Sequence, residues 1–200
     1  MNTKLSVINH GIDDLLFECF TDEAFKWYYP LKPYTLLEYQ WVRNNIPLVD
    51  NKTIVIDAGC HHGNYSVVFK PAFVIAVDCN REFLKYAVQN MELNDMKFVT
   101  ISKELGNVGL IEDMPINVDI YKVDIEGDEF KLFPHELDNF PSVKTWIVEI
   151  HPKYGDPETI AKYFWERNFM IKKVDRDAMQ VRDYIREEKW NGHATLIARK

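Results

Sequence analysis

From residue 53 onward the chain alternates short, apolar, β-branched runs with segments of helical period, and few folds accept that pattern. TIVID (53–57), FVIAVD (73–78), KFVTI (97–101), DIYKV (119–123) and TWIVEI (145–150) have the length and composition of buried strands. Residues 65–69 read as a short helix. Residues 81–91 set Phe83, Leu84, Ala87, Val88 and Met91 on one helical face. Residues 128–137 form a helix broken at Pro134, and Asp156 followed by Pro157 starts another, because Asp caps and Pro suits the first helical position. Strands at 169–174 and 194–198 complete the set, with a short helix over 181–188 between them. Strands alternating with helices imply right-handed crossovers and a doubly wound, mostly parallel sheet covered on both faces, with an antiparallel last strand.

Residues 1–50 differ. They carry Phe17, Phe20, Phe25, Trp27, Tyr28, Tyr29, Tyr34, Tyr39 and Trp41, and read as a helical, aromatic-rich cap segment ahead of one α/β domain at 51–200. Asp13 or Asp14 would cap a helix through Phe20, and Thr35 another through Asn44. Most of these rings are expected in packing, with a minority free to line a substrate pocket.

Composition narrows the partners. Lys and Arg total 24 against 31 Asp and Glu, a net charge of −7, and no basic stripe offsets it, so nucleic acid is a poor partner. No apolar run approaches the roughly 20 residues of a membrane span, and residues 1–10 lack a secretory pattern. The three cysteines, Cys19, Cys60 and Cys79, form no paired framework and suit a reducing, cytoplasmic setting.

In open α/β sheets ligands sit beyond the carboxyl ends of the strands, where strand order reverses. The first central strand ends there as Asp57-Ala58-Gly59-Cys60-His61-His62-Gly63-Asn64-Tyr65-Ser66. Gly59 and Gly63 allow a tight turn and close approach of backbone to ligand. Asp78, followed by Cys79, closes the next strand 21 positions after Asp57, the spacing at which an acid reaches ribose hydroxyls. His61 stands where a dinucleotide fingerprint has its middle glycine. Asp57 before the loop would repel pyrophosphate but favour the ammonium and sulfonium of S-adenosylmethionine.

The second half of the site starts at the fourth strand. Alternation puts Lys122 and Asp124 on one face and Val123 on the other. Gly127 supplies a turn, and Asp128 and Glu129 read as acids favouring a helix start, which leaves Asp124 and Glu126 as functional candidates. Glu149 lies inside an apolar run where a lone charge is expensive, and Lys122 is its candidate partner. His151 then emerges at the strand end.

Together DAGCHHGNYS, VDCNREFLKYAVQNMELND, DIYKVDIEGDEF and VEIHP resemble the FkbM-type S-adenosylmethionine-dependent methyltransferases, in order from about Thr53 to Pro152. The resemblance implies a Rossmann-like class I methyltransferase fold with a seven-stranded sheet, and O-methylation of sugars, glycolipids or small natural products. It carries Asp57, Gly59 and Gly63 over as the cofactor loop, with Cys60, His61 and Asn64 beside them, and Asp78 as the ribose acid. The same resemblance implies Asp124 to Glu129, with Glu149 and His151, as the active-site side. The family usually has alanine and asparagine at the positions of Cys60 and His61, and glutamate–proline where this chain has Asp78-Cys79. Ser102 to Glu104 is the expected adenine-side segment.

Methyl transfer from a sulfonium depends on positioning, and a neutral hydroxyl must lose a proton. His151 has the right intrinsic range for that base, with Asp124 or Glu126 orienting it or acting instead. No metal ligand is assigned. The alternative is Mg²⁺ or Ca²⁺ on Asp124, Glu126, Glu149 and His151, and a zinc set of Cys60, His61 and His62 is disfavoured by a loop built to pack on cofactor. The rival functions are a nicotinamide-dependent oxidoreductase and a non-catalytic scaffold that binds the same cofactor.

Overall fold

The computed structural model describes residues 4–9, 14–19, 26, 31–48, 52–106, 117–186, 188, 190, 192 and 194–200, with the backbone alone for 4–9 and 14. Two strands, β1 (Lys4–Asn9) and β2 (Asp14–Cys19), pair antiparallel. Helix α1 (Pro33–Asn45) follows. The main unit then runs β3 (Ile54–Ala58), α2 (Asn64–Val68), β4 (Phe73–Asp78), α3 (Arg81–Leu93), β5 (Lys97–Ser102), β6 (Ile120–Val123), α4 (Glu129–Leu132) and α5 (His135–Asn139). It ends with β7 (Thr145–Ile150), α6 (Pro157–Trp165), β8 (Met170–Asp175), β9 (Gln180–Asp183) and β10 (Ala194–Arg199).

The main sheet has eight strands in the order β5-β4-β3-β6-β7-β10-β8-β9. From β5 to β7 all neighbours are parallel, and β10 inserts antiparallel between β7 and β8. The chain moves outward from β3 to β5 and then returns to the other side of β3 as β6. The order therefore reverses between β3 and β6, and their carboxyl ends flank the crevice such folds use for ligands.

One face of the sheet presents Val55, Val74, Ala76, Ile120, Ile147 and Ile197 to α1, α2 and α3, and the other presents Ile56, Ile75, Tyr121, Val123, Trp146 and Val148 to α4, α5 and α6. Pro134 divides the helix expected over 128–137 into α4 and α5. The Asp156 side chain accepts from Glu158 N at the start of α6, as its sequence predicts. Among the described residues no helix is long and apolar enough to cross a membrane.

Three expectations are corrected. The sheet has eight strands, not seven, because 180–183 forms an edge strand where a helix over 181–188 was expected. Asp175 Oδ1 accepts from Ala178 N at 2.9 Å and closes a turn, and Lys172–Asp183 at 2.7 Å and Arg182–Asp175 at 2.7 Å then tie β8 to β9. Residues 14–19 form a strand, not a helix: Leu15, Phe17 and Cys19 are buried and alternate with half-buried Leu16 and Glu18, a period of two. Helix α1 begins at Pro33, where a proline in the first turn sets the start, and not at a Thr35 cap.

β2 and α1 pack against the main unit. Asn94 bonds Leu16 N and O, and Asn90 bonds Glu18 N and O as well as His62 O, so one amide on α3 and one at its C-cap clamp β2 as another strand would. Phe20, Phe25 and 27–29, among the expected aromatics, lie outside the described residues.

Candidate functional site

The loop after β3 turns through Gly59 (φ 75°), His61 (φ 49°) and Gly63 (φ 77°). At Gly59 two demands coincide: the left-handed conformation, and a Cβ that would lie 1.7 Å from the Asp124 carbonyl oxygen. Gly59 N and Cys60 N both donate to Val77 O, at 2.8 and 3.0 Å, which hangs the loop on the end of β4. Asp78 finishes the attachment: Oδ2 accepts from His61 N at 2.9 Å and Oδ1 from Asn80 N at 2.8 Å. Its carboxylate is thus pinned at the strand end, beside the exposed Ser102, which is its register partner on β5.

Cys60 is buried, and burial with the charges of Asp57 and Asp78 pushes its thiol up; Cys79 is exposed, and both are free. His61 stacks on His62 at 4.3 Å and meets the Phe83 ring at 4.1 Å with the planes tilted by 60°. Burial, with a contribution from His61, lowers His62 to about 4. Asn64 Nδ2 donates to Tyr39 OH at 2.9 Å, which links the glycine loop to α1.

Asp57 has a different place from the one its sequence suggests. It is fully buried, accepts from Ser66 Oγ at 2.6 Å, and lies 3.3 Å from Lys122 Nζ. The two stand side by side in register on β3 and β6. Asp57 therefore braces the loop from beneath, and the surface negative charge expected of it is carried instead by Asp78, Asp124 and Glu126.

Lys122 also reaches Asp124 at 3.5 Å and stands over the Tyr65 ring at 5.3 Å. Burial would lower its pKa, but Asp57, Asp124 and Glu149 hold it above the ordinary lysine value. Its expected pairing with Glu149 is replaced. Glu149 bonds Arg176 at 2.9 Å, because the end of β8 places arginine nearer than the lysine of β6. Burial would raise the Glu149 carboxyl, but Arg176, Lys122 and His151 keep it below its usual range.

His151 is the centre of the second half. Its Nδ1 lies 3.0 Å from Glu129 Oε1, and its Nε2 lies 3.5 Å from Glu126 Oε2 and 4.0 Å from Asp124 Oδ1. Burial lowers the imidazole, but the Glu129 hydrogen bond and the charges of Glu129, Asp124 and Glu126 outweigh it and leave it above its ordinary value. Asp124 is raised to about 7, first by burial and then by Glu149 and Glu126, against Lys122 and His151. Glu126 holds φ 56° and Gly127 φ 111° in the turn between them.

Glu129 enters from sequence only within the Asp124–Glu129 side that the resemblance implies, and Glu38 and Arg176 are not singled out there at all. Glu129, read as a helix-start acid, is fully buried and orients His151 while accepting Ile125 N at 3.0 Å. Its spacing after Asp124 was the available signal. Glu38 on α1 accepts from Tyr65 OH at 2.8 Å and from Thr195 Oγ1 at 2.9 Å. Burial and the Glu149 charge raise it to about 7. Arg176 lies over the Tyr34 ring at 4.5 Å as well as beside Glu149. Neither Glu38 nor Arg176 has a local sequence signal. Among the described residues Asp124, Glu129 and His151 form a potential cation-holding group; Glu126 and Glu149, the other members of the expected Mg²⁺ or Ca²⁺ set, are not in it, nor are Cys60, His61 and His62.

Neither a family model nor a curated protein matches the chain in sequence. Solved structures do match it in shape. An S-adenosylmethionine-dependent methyltransferase from Clostridium acetobutylicum aligns over 86% of this chain and 93% of its own, with 15% identity and a TM-score of 0.59. Magnesium protoporphyrin IX methyltransferase from Synechocystis, with bound S-adenosylmethionine, aligns over 84% and 79%, with 17% identity and a TM-score of 0.57. TrmK from M. capricolum, in complex with S-adenosyl-homocysteine, aligns over 82% and 67%, with 17% identity and a TM-score of 0.53. The chain has the Rossmann-like α/β fold of the S-adenosylmethionine-dependent methyltransferases.

Proposed function

We propose that this protein is an S-adenosylmethionine-dependent methyltransferase of FkbM type that methylates a hydroxyl of a sugar, glycolipid or small natural product in the cytoplasm. The observation that carries the reading is the Gly59 loop pinned to Asp78 at the strand-order reversal, facing the Asp124–His151 corner across the same strand ends. The fold is shared with structures that hold this cofactor or its product.

The residues fit the group. Each Asp78 oxygen accepts one backbone N–H and keeps a further lone pair for a ribose hydroxyl. Asn64 Oδ1, beside the loop, is buried without a hydrogen-bond partner. Asp57, Gly59, Cys60, His61 and Gly63 would shape the loop around the methionine part, with Cys79 and Ser102 on the nucleoside side. When bound, the cofactor supplies a methyl group on a positively charged sulfur. The chain's part is to hold the acceptor and remove its proton. Glu129 fixes the ring of His151, whose Nε2 receives the proton beside Asp124 and Glu126. Lys122 and Glu149, paired with Asp57 and Arg176, keep that corner in place. The net charge of −7 and the acidic corner favour a neutral acceptor over a phosphate chain.

The reading is tested by calorimetry with S-adenosylmethionine, S-adenosyl-homocysteine and NAD, followed by labelled-methyl transfer to panels of glycans and hydroxylated metabolites. Binding of the first two without NAD supports it. NAD binding alone makes the chain an oxidoreductase, and cofactor binding with no transfer to any acceptor leaves a scaffold.

A further inference from the structure

The turn between β6 and α4 and the end of β7 bring ligating side chains to one point. Asp124, Glu129 and His151 each offer a ligating atom, all within 4.8 Å of one another. His151 Nε2 faces Glu126 Oε2 at 3.5 Å and Asp124 Oδ1 at 4.0 Å. Two ligands about 2.1 Å from a tetrahedral ion lie about 3.4 Å apart, so small side-chain movements close this set. Glu126, 81% exposed, is free to make one.

A second observation comes from beneath. Glu129 is fully buried, and its Oε2 has no hydrogen-bond partner. Of the nearby cations, Lys122 is shared between Asp57 and Asp124, and Arg176 is held by Glu149. Among the described residues neither Glu126 nor Glu129 has a lysine or arginine partner. Among the described residues the corner gathers three carboxylates, Asp124, Glu126 and Glu129, around one imidazole, with Lys122 shared by Asp124.

We propose that this corner binds one first-row divalent cation of the Mn²⁺ or Zn²⁺ kind, with His151 Nε2, Asp124 and Glu126 as ligands and Glu129 fixing the imidazole through Nδ1. One imidazole with two carboxylates suits ions that accept nitrogen and oxygen together, whereas Ca²⁺ and Mg²⁺ favour all-oxygen sets. A carboxylate on the far nitrogen is the usual orienting partner of a ligating histidine. Glu149 is outside the set. The proposal deepens the methyltransferase reading and rests on it only for the ion's use. Beside an acceptor hydroxyl the ion's charge would make the hydroxyl more acidic, so that its proton passes to solvent water and not to Nε2, which cannot both bind the ion and take the proton.

The test uses the whole chain, stripped with chelator and free of cofactor, titrated with Mn²⁺ by electron paramagnetic resonance and with Zn²⁺ by calorimetry. One-to-one binding of either ion is expected, weakened at least tenfold by Glu126→Gln and 10–100-fold by Glu129→Gln. The exposed Glu126 variant keeps the fold, checked by its melting curve. The site is refuted by absence of saturable binding, by both variants titrating like the parent, or by loss on Cys60→Ser or His61→Ala instead. S-adenosyl-homocysteine is titrated into the same samples. Its binding without the ion overturns the metal site alone, and ion binding without it supports the site and overturns the methyltransferase reading.

Discussion

Lys122 Nζ lies 3.3 Å from the Asp57 carboxylate across two neighbouring strands, and both side chains are buried. The pair sits directly beneath the glycine loop, with Ser66 on the other carboxylate oxygen. Neither charge has solvent to fall back on, so each depends on the other.

Removing one partner strands the other. Lys122→Met is expected to cost about 3–5 kcal/mol, read from urea unfolding. Adding Asp57→Asn should recover part of that loss. A double variant that loses the full sum would show that the two residues act independently.

Gly59→Ala tests the contact between the loop and β6. Left-handed strain alone is worth roughly 1–3 kcal/mol, and the 1.7 Å approach to the Asp124 carbonyl adds to it, because a Cβ has no rotamer to turn away and its neighbour is backbone. A large drop in melting temperature with loss of S-adenosyl-homocysteine binding is expected. Unchanged melting would mean the loop adopts another path.

Asp78→Asn should weaken S-adenosyl-homocysteine binding about 10–100-fold, the worth of one charge-assisted hydrogen bond of roughly 1.5–3 kcal/mol. Calorimetry reads it. Equal affinity in the variant would remove Asp78 from the ribose.

Glu38 gives a pH signature. Its folded value of about 7 lies above its ordinary 4.5, so between those values the folded chain holds a proton that the unfolded chain has lost. Stability from this group is present below pH 4.5 and falls as pH rises toward 7. Glu38→Gln can keep hydrogen bonds to Tyr65 and Thr195 without the charge. It should match the parent near pH 4.5 and exceed it at pH 8, by an amount on the order of 3 kcal/mol. Parallel stability curves for the two proteins would contradict the assignment.

His151→Ala should lower methyl transfer by about 10²–10⁴-fold while S-adenosyl-homocysteine affinity stays within a few-fold. In the parent freed of divalent ions, the rate should rise with pH through the raised histidine value, because a protonated Nε2 cannot accept the acceptor's proton. Near-normal turnover of the variant would move the base to Asp124, itself raised to about 7.

Much of the fold was legible along the chain. The five runs from 53 to 150 became β3 to β7 within about one residue, and the Asp156-Pro157 start held. The errors fell where alternation is short. Residues 14–19 bury every second side chain, but Leu15, Leu16 and Phe17 run together in sequence, and β2 owes its strand state to clamps by Asn90 on α3 and Asn94 at its C-cap, more than 70 positions away. The 180–183 strand depends on a turn closed by Asp175 and on ion pairs to β8.

The sequence by itself determined the layered sheet, the glycine loop and the acids at the strand ends, because a strand's two-residue period and a helix's 3.6-residue period are local properties of the chain. Only the tertiary structure decided which charges meet. It gave Lys122 to Asp57, Glu149 to Arg176 and His151 to Glu129, and brought Glu38 from α1 to Thr195, 157 positions on. A buried charge takes the partner that strand order and register bring within about 4 Å, and that distance does not exist until the sheet has closed.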